Sequence, residues 1–108
     1  MKKSIIIECQ KRIKKIKFKE ILYFVYQNER MLIETLNGSF VNCQSLKKIK
    51  KVLPEAFLKI NRNVIINPYF VASVEKQQKK VLMINGREFS VSRRQMPRLK
   101  KYFKHIDS

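Results

Sequence analysis

The stretch EILYFVYQNERMLIETLNGSFVNC, residues 20–43, decides the fold class of this chain. It contains three short runs rich in β-branched and aromatic residues, which strands prefer, separated by polar residues. Asn37-Gly38 divides the second run from the third, and both residues of an Asn-Gly pair adopt positive φ easily, so we predict a tight hairpin with a type I′ turn. The first run is apolar at every position, which predicts a central strand covered on both faces.

Alternation along that first run predicts which side chains share a face of the sheet. We expect two sets of three residues, namely Ile21, Tyr23 and Val25 on one face and Leu22, Phe24 and Tyr26 on the other. The preceding run, RIKKIKF, is different, because Ile13, Ile16 and Phe18 share a face only if Lys14-Lys15 forms a bulge. We therefore predict an edge strand with outward lysines.

The rest of the chain repeats these signals. Asn85-Gly86 separates KVLMI from REFSV and predicts a second type I′ hairpin. Further strand-like runs occupy residues 4–8, 57–60, 64–66 and 69–75. Together these predict about eight short strands in a single domain over residues 1–108. The predicted fold class is mainly β, a β-rich α+β fold with short antiparallel strands in small sheets and two short helices.

The two helices are predicted from apolar spacing and from capping residues. In SLKKIKKVLP, Ser45 is the expected N-cap, and Pro54 ends the run. The second helix lies near the C-terminus. Its start is open, since Ser92 and Gln95 have capping-box spacing whereas Pro97 suits the first helical position, which would begin the helix at about residue 97.

Charge points to a polyanionic partner. The chain has 25 Lys and Arg against 8 Asp and Glu, a net charge of +17 that opposes compaction by self-repulsion. The basic residues cluster at positions 11–19, 47–51 and 93–104, whereas residues 20–46 contain only Arg30. A nearly uncharged centre flanked by basic elements predicts a shaped basic surface that contacts phosphates.

The same composition argues against an enzyme. The carboxylates are dispersed, the single His105 lies near the C-terminus, and no phosphate-binding glycine motif occurs. Cys9 and Cys43 are too few for a disulfide framework and, with one histidine, for a structural zinc site. We therefore predict no catalytic residues, no metal and no cofactor. No signal peptide or membrane span is evident, so we expect a cytoplasmic protein.

Three arginines stand out by position. Arg30 lies in the predicted connection QNER, Arg62 lies between two short apolar runs, and Arg93 follows the last hairpin. Loop arginines are usually only solvated, but arginine is also the side chain that recognises guanine O6 and N7 with two hydrogen bonds. Loops on a rigid β scaffold are common positions for binding residues.

Four segments in order resemble the LytTR family of bacterial DNA-binding domains: EILYFVYQNERMLIETLNG, SLKKIKKVL, FLKINRNVIINPYFV and INGREFSVSRR. The matching positions are Ile21, Tyr23, Phe24, Gly38, Ser45, Leu46, Phe57, Asn61, Arg62, Val64, Asn67, Val91, Ser92 and Arg93. The resemblance covers roughly residues 5–103. Asn61 stands where many members carry His, and Asn63 where many carry Ser, so a different target sequence is expected.

The resemblance implies a mostly β domain whose loops enter successive major grooves of bent double-stranded DNA. Matched residue by residue, the base-contacting side chains are Arg30, Arg62 and Arg93. The residues expected to contact the DNA backbone or to support the readers are Asn61, Asn63, Lys47, Lys48, Ser92 and Arg94. The implied function is sequence-specific transcription regulation.

The resemblance also implies partners. Family members bind as two copies on direct repeats, and many carry the domain behind a receiver domain, as response regulators do. Here we expect a free-standing domain, which some members keep in check with a separate membrane-bound inhibitor. The alternative function is a small basic RNA-binding or ribosome-associated protein, which would use the same charge on A-form backbone.

Overall fold

The computed structural model describes residues 3–9, 11–42 and 45–106. Ten strands and two α-helices occur in this part of the chain. The strands are β1 (Ser4–Cys9), β2 (Arg12–Lys17), β3 (Ile21–Gln27), β4 (Arg30–Thr35), β5 (Gly38–Asn42), β6 (Leu58–Asn61), β7 (Val64–Ile66), β8 (Val71–Glu75), β9 (Lys80–Met83) and β10 (Glu88–Ser90). The helices are α1 (Leu46–Val52) and α2 (Met96–Ile106), and 3₁₀ turns span Phe18–Glu20 and Pro68–Phe70.

The strands form three antiparallel sheets, which confirms the predicted fold class. A five-stranded sheet has the order β5-β4-β3-β7-β6, a three-stranded sheet the order β10-β9-β8, and β1 and β2 form a two-stranded ribbon. The described strands number ten rather than about eight, because runs as short as Val64–Ile66 and Glu88–Ser90 still pair with neighbours. Strand β3 is central and is buried from Ile21 through Val25, as predicted.

The five-stranded sheet lies between two apolar layers. The three-stranded sheet and α2 pack with Tyr23 and Val25 on one face of β3. The β1–β2 ribbon and α1 pack with Phe24 on the other face. This arrangement explains why β3 lacks polar positions, since both of its faces exclude water.

A bulge in β3 corrects the predicted assignment of its first two side chains. The pairing with β4 shifts between Ile21 and Tyr23. As a result Ile21 joins the cluster of Phe24, and Leu22 joins the cluster of Tyr23 and Val25. The extra residue at a bulge reverses the alternation on one side of it, so the predicted faces are wrong for Ile21 and Leu22 only.

The predicted bulge in β2 is wrong. Strands β1 and β2 pair without interruption from Ser4↔Lys17 to Cys9↔Arg12. Regular alternation buries Ile16 and leaves Ile13 73% exposed. The strand is nevertheless an edge strand with exposed lysines, as predicted.

Both Asn-Gly hairpins form, but neither turn is type I′. The glycines take positive φ, +128° at Gly38 and +91° at Gly86, while Asn37 and Asn85 do not. At the first turn the Thr35 hydroxyl donates to the Gly38 carbonyl (2.8 Å) and accepts from the Asn37 amide (3.0 Å). This side chain closes the turn locally and removes the need for two left-handed residues.

At the second turn the asparagine side chain is committed elsewhere. Asn85 Nδ2 donates to the Tyr23 hydroxyl (3.0 Å), and its Oδ1 accepts from the Arg87 amide (3.1 Å). The two successive left-handed residues instead occur at Asn28 and Glu29, with φ of 53° and 62°. They form the two-residue β3–β4 turn, whose positive φ values are those of a type I′ turn.

The helix predictions hold closely. The Ser45 hydroxyl accepts from the Lys48 amide (3.3 Å), which confirms the N-cap, and α1 ends at Val52 before Pro54. Helix α2 begins at Met96, one residue before Pro97. Cys43 lies outside the described residues, as do the side chains of Cys9 and His105. None of the described helices has the length and apolar character that crossing a bilayer requires.

Candidate nucleic-acid interface

Arg30 lies at one end of the five-stranded sheet. It is the first residue of β4 and pairs with Gln27, the last residue of β3. The prediction that Arg30 occupies the connection is therefore wrong, because the connection shrinks to the two-residue turn at Asn28 and Glu29. The Arg30 side chain is exposed beside that turn.

Arg62 lies at the same end of the sheet. It forms the β6–β7 turn with Asn63, between the paired residues Asn61 and Val64. The Asn63 carbonyl accepts from the Tyr26 amide at 2.8 Å, which fixes this turn against the end of β3. Arg62 is exposed, and its turn is rigidly attached to the central strand.

Arg93 follows a segment that runs beside β6. The Ser92 amide donates to the Ile60 carbonyl at 2.8 Å, and Asn61 Nδ2 donates to the Ser90 carbonyl at 2.7 Å. These bonds bring the chain that leaves β10 to the β6–β7 turn, and Arg93 is exposed there. We call the end of the sheet that carries Arg30, Arg62 and Arg93 the arginine end.

Asn61 links two of the three segments through its side chain. Its Nδ2 donates across to Ser90, and its Oδ1 accepts from the amide of Asn63 at 2.8 Å. The residue is half-buried, and both of its polar side-chain atoms have partners within the protein. Asn61 is thus a positioning residue for Arg62 and for the segment before Arg93.

The remaining predicted residues have different exposures. Asn63 and Arg94 are exposed, whereas Ser92 is half-buried. The Ser92 carbonyl accepts from the amides of Gln95 and Met96, both at 3.1 Å, so its backbone begins the turn that leads into α2. Each of these residues adjoins the arginine end in sequence or through hydrogen bonds.

Lys47 and Lys48 are exposed on the first turn of α1. The strand before this helix ends at Asn42, which pairs with Met31 next to Arg30, so this strand also finishes at the arginine end. The first turn of α1 holds no acidic residue. Cations at a helix N-terminus oppose the helix dipole, so these lysines do not serve helix stability.

Lys50, on α1, is half-buried and is influenced by other cations. Lys50 Nζ donates to the Phe57 carbonyl at 3.0 Å. Burial lowers the pKa of Lys50, and the neighbouring charges of Arg98 and Lys59 lower it further, while Glu55 acts in the opposite direction. The positive potential at Lys50 is one that a bound polyanion would relieve.

Four polar side chains near the arginine end were not predicted. Gln27 and Asn28 are exposed and line a shallow groove with Arg30. The sequence does contain a signal for the β3–β4 turn, because the asparagine in QNER favours a type I′ turn, and such a turn brings Gln27 and Asn28 next to Arg30. Lys76 and Lys79 lie in the β8–β9 loop, where the Lys79 carbonyl accepts from the Val91 amide at 2.7 Å. No local pattern links that loop to Val91.

Several phenylalanines pack in the core rather than at the arginine end. Phe24, Phe70 and Phe89 are buried, and Phe40 is half-buried under Lys14, whose Nζ lies 5.1 Å from its ring centre. Tyr69 is 78% exposed but lies after β7, away from the arginine end. The described residues of the arginine end thus present cations and amides rather than stacking rings.

The described residues hold no group of three or more His, Cys, Asp and Glu that could bind a metal. What the arginine end can do is donate hydrogen bonds and present positive charge. These are the interactions through which proteins bind phosphates and base edges.

Comparisons with known proteins identify relatives of this architecture. The sequence model of the LytTr DNA-binding domain matches residues 11–104. No curated protein matches the sequence significantly. The structure is similar to that of the LytTr DNA-binding domain of a protein described as a methyl-accepting/DNA response regulator from Bacillus cereus, with a TM-score of 0.79 and 16% identity. The similarity covers 94% of this chain and 96% of that one, and at this identity it establishes the fold.

Proposed function

Since the chain belongs to the LytTR family of DNA-binding domains, we propose that it is a transcriptional regulator that reads a specific double-stranded DNA sequence with its loops. Residues 1–108 act as one DNA-binding domain in this role. A regulator of bacterial genes works in the cytoplasm, where the DNA is. Signal input comes from outside the domain, through a separate membrane-bound inhibitor.

One observation carries the proposal: Arg30, Arg62 and Arg93 belong to three separate segments and still lie at the same end of the sheet. Each guanidinium can donate two hydrogen bonds to guanine in a major groove. Because the three arginines are held in fixed relative positions, they would select particular bases and also the distance between those bases along the duplex. Asn61 contributes by holding two of the segments together.

Lysines supply the part of the affinity that does not depend on sequence. In this proposal, backbone phosphates are contacted by Lys47 and Lys48. The base-contacting arginines are supported by Asn63, Ser92 and Arg94. Each phosphate contact releases counterions, so binding weakens steeply with salt. Direct repeats bind two copies of the chain, one on each repeat.

The test is selection of bound fragments from random duplex DNA by the full chain, followed by affinity measurement at one salt concentration. A specific site should bind ~10³-fold or more tightly than a scrambled duplex. Equal affinities would contradict sequence-specific regulation. Structured RNA that displaces the selected duplex at equal salt would instead favour the RNA-binding alternative.

A further inference from the structure

The β1–β2 ribbon exposes large apolar side chains that the core does not use. Ile6 is 62% exposed and Ile13 is 73% exposed. The register pairs Ile6 with Lys15 and Glu8 with Ile13, so the two isoleucines are diagonal neighbours on the outer face of the ribbon. Single exposed apolar residues are ordinary on protein surfaces, but adjacent ones mark interaction sites.

A groove runs from this face to α1. Ile5 and Phe18, both buried, form its floor, and the exposed side chains of Ile6 and Val52 line its sides. Lys15 and Lys48 complete the lining. The result is an apolar cleft with ammonium groups at its edges, which we call the ribbon groove.

The charged side chains that line the ribbon groove, Lys15 and Lys48, are both positive. An adjoining groove shares Lys15 and Phe18 with it and adds Lys3, Lys17 and Lys19. None of the described residues that line either groove is an Asp or Glu. An occupant must therefore bring negative charge as well as apolar side chains.

These features separate the candidate occupants. A second copy of the chain carries a net charge of +17 and would be repelled. Duplex DNA offers negative charge, but its hydrated phosphates provide no apolar surface to cover Ile6 and Val52, and burying phosphates against these side chains would cost free energy. An amphipathic segment can do both: its apolar residues can pack on Ile5 and Phe18, and its carboxylates can pair with Lys15 and Lys48.

We propose that the ribbon groove binds an acidic amphipathic segment of a partner protein. Apolar side chains of the segment pack on Ile5, Phe18, Ile6 and Val52, and its carboxylates pair with Lys15 and Lys48. The proposal does not depend on base readout by Arg30, Arg62 and Arg93, although it shares Lys48 with the proposed phosphate contacts. Lys48 lies at the border of the two surfaces.

The experiment measures binding of a fluorescent designed helical peptide, with Leu on one face and Glu elsewhere, to the full chain by anisotropy. The matched peptide replaces each Leu by Ser and keeps the charge. The protein variants are Ile6→Ser and Val52→Ser, with Ile84→Ser as the control, because Ile84 is 53% exposed on the β9–β10 turn. Thermal unfolding midpoints confirm that each variant folds.

We expect saturable binding of the Leu peptide that weakens about tenfold in Ile6→Ser and in Val52→Ser, a loss of ~1.4 kcal/mol. Ile84→Ser should bind as the unchanged chain does, and the Ser peptide should bind no better to the unchanged chain than to Ile6→Ser. Lys15→Glu should weaken the Leu peptide further than Ile6→Ser does.

Three results would overturn the proposal. Equal binding of the two peptides, equal effects of Ile6→Ser and Ile84→Ser, or no saturation would mean that the chain attracts acidic peptides by charge alone or not at all. Loss of duplex affinity in both Ile6→Ser and Val52→Ser would assign the groove to DNA. Concentration-dependent dimerisation that Ile6→Ser abolishes would make a second copy the occupant.

Discussion

The Asn61 side chain joins two of the segments that carry the proposed base-contacting arginines. Its two polar atoms hold the Asn63 amide and the Ser90 carbonyl, at 2.8 Å and 2.7 Å. Ser90 is 29 residues away in sequence, so this bond joins β6 to the segment that leads to Arg93. The family resemblance marked the position, and its contacts are the basis for proposing that it supports Arg62 and Arg93.

Asn61→Ala should therefore affect both stability and binding. Loss of two hydrogen bonds should lower the free energy of unfolding by about 1–3 kcal/mol and weaken binding to the selected duplex. Urea unfolding and duplex titration measure the two effects. Asn63→Ala is the control for stability, since its side chain is exposed and it keeps the backbone bonds to Asn61 and Tyr26. Equal stability losses in the two variants would contradict the supporting role.

The arginines differ from the lysines in what their loss should change. Arg62→Ala and Arg93→Ala should each cost about 1–3 kcal/mol and relax the preference at particular base pairs. Duplexes carrying single base-pair changes would locate those positions. Arg87→Ala is the matched control, because Arg87 is exposed in the β9–β10 turn, where its guanidinium lies 5.0 Å from the Phe89 ring centre. A uniform affinity loss across all duplexes would contradict base reading by Arg62 and Arg93.

Helix α1 combines a favourable N-cap with a charge pattern that opposes its dipole at the N-terminal end. Ser45 satisfies the Lys48 amide, and Leu46 and Ile49 bury the inner face of the helix. Lysines nevertheless stand at both ends of its seven residues. Lys50 and Lys51 complement the dipole at the C-terminal end, whereas Lys47 and Lys48 oppose it at the N-terminal end.

Lys47→Glu should accordingly separate stability from function. An acidic residue in the first turn of α1 should raise the free energy of unfolding by about 0.3–1 kcal/mol. The same change should weaken binding to specific and random duplexes alike, because it replaces a phosphate contact by repulsion. Denaturation and salt-dependent titration give both quantities.

Lys51→Glu is the control at the other end of the helix and should lower stability instead. Unchanged duplex affinity in Lys47→Glu at low salt would remove Lys47 from the proposed DNA contacts. A change confined to one duplex sequence would point to base reading rather than to phosphate contact.

For the whole molecule, the distance between its loops limits the shape of the DNA it can read. Strands β4 and β6 are three strand spacings apart in the sheet, roughly 14 Å, whereas successive major grooves on one side of straight DNA are about 34 Å apart. Arg30 and Arg62 lie at the ends of these strands. Readout of successive grooves therefore needs a duplex that curves toward the arginine end.

DNA bending should consequently accompany specific binding. Bending a site of 20–30 base pairs by 40–90° costs roughly 1–6 kcal/mol, which phosphate contacts from the basic flanks would offset. Affinity should depend on flexible pyrimidine–purine steps between the contacted bases. Circular-permutation mobility shifts measure the bend, and a scrambled duplex is the control. Straight DNA in the specific complex would contradict this prediction and would mean that the arginines contact only one major groove.

The mainly β fold class, the hairpins, the two helices with the Ser45 cap and the family resemblance could all be predicted from the amino-acid sequence, because they depend on alternation, turn residues and order along the chain. Tertiary structure alone decided the bulge that exchanges Ile21 and Leu22, the exposure of Ile13, and the φ angles of the Asn-Gly turns. It also placed the three arginines at the same end of the sheet. The reason is that these features depend on partners remote in sequence, such as Tyr23 for Asn85 and Ser90 for Asn61, which no local pattern encodes.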